Sequence, residues 1–162
     1  MLQVLEGSSP VYPLWGLMLA AISLYLVPRD HYRYLLLNGL IGAMVAGMVV
    51  VFFSEVLEAF SFVEAFPYSV AGFPLFVALG WGAVIIVFLW AIPEKASVWL
   101  HGGYIAAFTV AGIAPEAMFH QLGLRPYGTW FSSWMAVFHV GIIFLSNYFI
   151  YRLRKRFENQ DP

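Results

Sequence analysis

The chain has no cysteine, which removes disulfides, thiolate metal sites, iron–sulfur clusters and cysteine nucleophiles together. Charge is almost as scarce. Only 10% of the 162 residues are Asp, Glu, Lys or Arg, against about 25% in ordinary soluble domains. The formal net charge of −1 supplies no basic field, so nucleic acid is not an expected partner. No Walker loop, GxSxG, HExxH or CxxC pattern occurs, and there is no long polar domain to hold soluble chemistry. The opening residues MLQVLEGSSP lack Lys and Arg. A cleavable leader needs a positive start, so the first apolar run reads as a retained helix.

What is present is apolar: 62% of residues are hydrophobic and 19% aromatic, with a mean hydropathy of +0.80. That composition predicts an all-α, polytopic membrane helix bundle forming a single domain. Five apolar runs are expected as transmembrane helices, at about 11–27, 34–53, 74–92, 98–120 and 129–151. The first is short, with Tyr12, Trp15 and Tyr25 suited to interfacial depth. The second carries Gly39, Gly42, Ala43, Ala46 and Gly47, small residues that predict a central packing position. Residues 54–71, with Glu55, Glu58 and Glu64 and no cation, read as a partly helical interfacial segment. The link EKAS at 94–97 is short enough to predict an antiparallel hairpin of the third and fourth helices. Residues 152–162 read as a polar cytoplasmic tail.

Basic residues predict the orientation. Arg29, Arg33, Lys95, Arg152, Arg154, Lys155 and Arg156 fall on one side, and only Arg125 on the other. The positive-inside rule then places the N-terminus outside and the C-terminus in the cytoplasm of a bacterial membrane.

Intramembrane ionisable groups are costly, so they are the first candidates for function. In the fourth run Thr109, Glu116 and His120 fall within about 40° on one helix face. Glu116 and His120, four apart, would be the catalytic proton-transfer pair of an enzyme. Gly103, Ala107 and Ala111 form a small-residue ridge on the same helix. Glu55 ends the second run, and Arg125 is the cation able to pair with these acids. Ser132, His139 and Ser146 are seven apart, with Asn147 adjacent, a polar stripe expected to hydrogen-bond across helices. Trp130 and Trp134 share a face on which a lipid headgroup or apolar ligand could stack. The expected ligand-binding set is therefore Glu55, Arg125, Trp130, Ser132, Trp134 and His139. His101 and His139 are expected about 15 Å apart in depth, too far for one bis-histidine haem, and no metal or cofactor is expected.

Several short features occur in a familiar order. They are VPR at 27–29, Glu55, FPY at 66–68, GFPLF entering the third run, PEK at 93–95, Glu116, YGTW at 127–130, and an aromatic, basic tail. Across residues 27 to 157 the chain resembles an uncharacterised family of small integral-membrane proteins of spore-forming bacteria. That resemblance implies fold and location. The stretches FPY and GFPLFVALGW also look like the carotenoid hydratase pattern, and APEAMF resembles the proline–glutamate motif of membrane lycopene cyclases. The second likeness implies that Glu116 protonates an apolar substrate; Ala117 stands where the paired acid of that motif would be.

The sequence thus leaves three classes open. The first is a scaffold subunit that binds a protein partner or a second copy of the chain, or a binder of a lipid-like ligand. The second is a membrane enzyme using carboxyl acid catalysis on an isoprenoid or lipid. The third is an oligomeric transporter of protons or small solutes.

Overall fold

Proline marks the helix boundaries. Pro10, Pro28 and Pro74 stand immediately before α1 (Val11–Leu26), α2 (Arg29–Val51) and α3 (Leu75–Ala91), where the missing N–H would have had no intrahelical acceptor. Pro93 follows α3, and the Ser97 hydroxyl caps α4 (Val98–Gln121) by accepting from the Leu100 N–H at 3.3 Å. The last helix is α5 (Ser133–Glu158). A computed structural model describes residues 9–65, 69–70 and 73–158. Among these the regular structure is helical apart from a two-residue hairpin, Ser69–Val70 against Phe73–Pro74, and a single antiparallel bridge of Phe60 to Tyr127.

Three helices are long and apolar enough to cross a membrane: Arg29–Val56, which is α2 extended by one π-turn, α4 and α5. The others, of 16 and 17 residues, rise only about 24–26 Å, short of a hydrocarbon core of about 30 Å. Each nevertheless runs the height of the bundle. Near the start of α1 the Tyr12 hydroxyl sits at the Val63 and Leu124 carbonyls, 2.7 and 2.8 Å away. Near its end Ser23 meets the Tyr32 hydroxyl at 3.3 Å. The opposite end gathers Tyr34 on Glu158 at 2.8 Å, Lys155 on Glu94, and His101 Nε2 on the Pro93 carbonyl at 3.0 Å. The five helices therefore alternate in direction, with the seven clustered basic residues at one end.

The centre belongs to α3, not to α2 as the glycine count predicts. Ile85 and Phe88 of α3 are fully enclosed, and α1, α2 and α5 all pack on this helix. The reason lies in α3's all-round apolar surface, which leaves it no solvent- or lipid-polar face to prefer. At Gly16 the α1 backbone nearly touches α3: an added Cβ would lie 2.1 Å from the Phe76 carbonyl oxygen.

The expected hairpin of the third and fourth helices does not form along their length. α4 packs on α5, where Gly112 admits Val140 so closely that a Cβ would meet its methyl at 2.7 Å. Its contact with α3 is local, through Phe88, Phe108 and Phe144, whose ring centroids lie 5.0–5.7 Å apart. These rings hold α4 off α3, so α4 diverges and leaves a gap toward α1.

The acidic segment expected to be partly helical over 54–71 is helical only at its start, where the π-turn Phe52–Val56 carries Glu55. Residues 59–64 form an extended strap across the end of the bundle, pairing with the loop before α5. Ser61 N–H donates to the Pro126 carbonyl at 3.3 Å, Val63 N–H to Leu124 at 2.9 Å, and Gly128 N–H to Ala59 at 2.7 Å. Glu58 and Glu64 bound it with positive φ, 49° and 57°. The alternation Phe60, Ser61, Phe62, Val63 turns Phe60 and Phe62 inward and leaves Ser61 and Val63 exposed. The FPY stretch at 66–68, Ala71 and Gly72 lie outside the described residues.

Gly16→Val should destabilise the protein in detergent by about 3 kcal/mol, because backbone cannot yield as a side chain can. Gly103→Ala, with nothing within 4 Å of its added Cβ, should be neutral or stabilise by up to ~1 kcal/mol. Thermal unfolding of the two variants measures the contrast.

Candidate functional site, a buried ion pair beside an apolar crevice

Pro115 interrupts the hydrogen-bond ladder of α4 one residue before Glu116. After Gln121 the chain reverses through Gly123 at φ 71°, a conformation in which a side chain would be strained. Leu124 and Arg125 N–H groups both donate to the Phe119 carbonyl, at 3.0 and 3.1 Å, which folds the loop back beneath the helix end. This turn carries Arg125 to Glu116, and the two form an ion pair. Both are buried, Arg125 at 2% exposure and Glu116 at 4%.

The strap supplies the rest of the enclosure. The Arg125 guanidinium lies over the Phe60 ring, with Cζ 3.5 Å from the centroid, and 5.2 Å from that of Phe62, an arrangement favoured by the negative ring faces. Burial lowers the Arg125 pKa from its ordinary value, opposed by Tyr127 and Tyr12 nearby. A guanidinium starts high enough to remain charged, and Glu116 is its counter-ion. Tyr12, bonded to both Val63 and Leu124 carbonyls, ties α1 to strap and loop together.

Arg125 is not saturated. Its Nε and Nη2 are buried and have no acceptor among the described residues, and each such orphan costs about 1–3 kcal/mol. The pair lines a small cavity of about 50 Å³ with Phe62, Phe119, Trp15 and Trp81. Trp15, Leu19, Val84, Gly112 and Pro115 also line a second cavity of about 330 Å³ in the gap between α1, α3 and α4. The two are parts of one crevice. Its wide part carries no charged side chain, and Ala111 and Ala114 form its α4 wall beside Phe108.

The structure places the expected site residues unevenly. Glu116 and Arg125 come together. Glu116 and His120 do not: His120 is exposed, stacked on Tyr127 at 3.9 Å, and donates from Nδ1 to the Arg125 carbonyl at 3.1 Å. It supports the loop and is not a proton partner of Glu116. Glu55 is exposed on the π-turn and lines an outer groove with Glu58 and Tyr127, outside the crevice. Trp130 donates its indole N–H to the Leu57 carbonyl at 2.8 Å, clamping the strap. Trp134 is 81% exposed on α5. Ser132 is exposed and accepts the Met135 and Ala136 N–H groups through its carbonyl, starting α5.

The polar stripe on α5 makes no cross-helix hydrogen bond among the described residues. Asn147 donates to its own helix at Ile143, 2.8 Å. His139 is fully buried with both ring nitrogens unpartnered among those residues, held edge-on by Phe53 and Phe60 at 5.0 and 5.4 Å. It shares Phe60 with Arg125 but does not line the crevice. His101 stands at the opposite end against Tyr148. No group of three His, Asp or Glu suited to a metal occurs among the described residues. Sequence reasoning passed over Phe60, Phe62 and Phe119; the alternation in FSFV was the available signal for the first two.

Comparison with family models, with curated proteins and with solved structures finds no match to this chain.

Arg125→Leu alone should cost about 3–5 kcal/mol by leaving Glu116 buried without a partner. The double variant Glu116→Leu/Arg125→Leu should recover most of that loss. A double-mutant cycle on unfolding in detergent reads the coupling directly.

Proposed function

We propose that this is a five-span protein of a bacterial cytoplasmic membrane, with the N-terminus outside and the C-terminus inside, that binds a lipid-like ligand. One observation carries the reading: an apolar crevice between α1, α3 and α4 ends on a buried ion pair whose cation keeps two unfilled donors. Pockets of this kind, mostly apolar with a few convergent polar groups, are the usual form of a small-molecule site. The five-pass topology is supported by the alternating helices and by the segregation of seven basic residues at one end, which also favours that end facing the cytoplasm.

Binding is favoured over acid catalysis. The likeness of APEAMF to the cyclase motif would have Glu116 deliver a proton. A protonated Glu116 would leave the buried Arg125 charge without its counter-ion, an arrangement costing several kcal/mol. Glu116 therefore acts as the carboxylate that holds Arg125 in place. A protein partner or second copy remains compatible with the reading, because Gly103 and Ala107 face outward on α4.

Gentle extraction from the native membrane followed by mass spectrometry should find one amphiphile at near-stoichiometric amount. Ala114→Trp, which fills the wide part of the crevice, should reduce its recovery at least tenfold while leaving the melting temperature within a few degrees. Equal recovery from this variant, or a wild type carrying only bulk lipid, would overturn the proposal.

A further inference from the structure

We infer that the ligand's headgroup is a neutral hydrogen-bond acceptor, of the quinone or ketone carbonyl class, carried on an apolar chain. This rests on the reading of the crevice as a binding site and specifies what that site reads.

The argument is one of charge and hydrogen-bond inventory. Glu116 and Arg125 together are neutral, so the site has already balanced its cation. A phosphate or carboxylate entering here would add a negative charge with no second cation to meet it. The other seven Lys and Arg residues all lie at the opposite end of the bundle, at the start of α2, in the link before α4 and in the last turns of α5. The titratable groups nearest Arg125 are Tyr12, Tyr127, His120 and His139, with Glu64 acting on Tyr12. His120 is turned outward on Tyr127, and His139 is shut behind Phe60, so neither offers a cation to the crevice. An uncompensated ion in such surroundings is strongly disfavoured.

The same inventory excludes an apolar ligand with no polar group. Nε and Nη2 of Arg125 are buried donors without acceptors, and a hydrocarbon would leave them so. A headgroup that only donates would meet the Glu116 carboxylate, whose Oε2 also lacks a hydrogen bond, but it would leave both Arg125 donors without an acceptor. What fits is an acceptor oxygen with no charge. The chain attached to it would run from Pro115 toward Phe108 along α4, about 10 Å of helix rise, between small Ala111 and Ala114 on one side and Val84 and Val87 on the other. Trp15 and Phe119, in edge-to-face contact at 6.0 Å, flank the head region, where a flat conjugated ring could lie against them.

The test is isothermal titration of the delipidated protein in detergent with four probes sharing a decyl chain: a benzoquinone, a carboxylic acid, a phosphate monoester and the plain alkylbenzene. The quinone should bind at least tenfold more tightly than each of the others. The double variant Glu116→Leu/Arg125→Leu removes the donors without stranding a charge, and it should bring quinone binding down to the alkylbenzene level. An acid or phosphate binding as tightly as the quinone would overturn the headgroup assignment, as would a double variant that binds the quinone undiminished. Failure of the quinone to bind a folded wild type would overturn it too. The broader binding proposal is judged separately, since recovery of any stoichiometric amphiphile that Ala114→Trp abolishes would sustain it.

Discussion

A guanidinium sealed at the end of an apolar bundle is the constraint around which this protein is arranged. Arg125 sits in a loop, yet it is as enclosed as the core phenylalanines. Such a charge is tolerated only with a counter-ion and favourable dipoles around it. Glu116 supplies the first from the last turns of α4, and Phe60 supplies a ring face from a distant part of the chain. Meeting both demands requires the left-handed turn at Gly123, the strap of residues 59–64, and the Tyr12 hydroxyl bonded to both. Four separate chain segments are thereby committed to one end by one cation.

The opposite end handles charge differently. There Lys155 pairs with Glu94, and Glu158 receives both Tyr34 and Arg154, all at least partly exposed. Lys155 lowers the pKa of Glu94 chiefly through that hydrogen bond. Exposed pairs of this kind contribute little to stability, although seven of the eight basic residues gather at this end. The two ends thus differ in how they hold charge: one leaves several pairs exposed, and the other encloses a single cation with its counter-ion.

The crevice between them follows from a mismatch of side-chain sizes. Where glycine faces a neighbour the helices close up: Gly16 meets the α3 backbone at Phe76, and Gly112 meets the Val140 side chain. Where Phe88, Phe108 and Phe144 meet, α4 is held off α3. The result is an apolar groove of about 330 Å³, open along Ala111 and Ala114, beside the smaller cavity that Glu116 and Arg125 line.

By itself the sequence determined that the chain is helical, apolar, and built from five runs whose boundaries proline and loop charge mark; these depend on local composition and period, which are readable residue by residue. It also named Glu116 and Arg125 among the candidate polar groups, beside Glu55, His120 and His139. It did not determine that His120 would turn away from Glu116, that Glu55 and Trp134 would lie outside the site, or that His139 would be sealed behind Phe60. Nor did it determine that α4 would leave α3 for α5. Those outcomes were decided by tertiary structure, because each depends on which of several compatible neighbours wins a shared surface. An Arg125 side chain can satisfy only one carboxylate at that end, and a helix with small residues on more than one face closes where its neighbour's side chains allow.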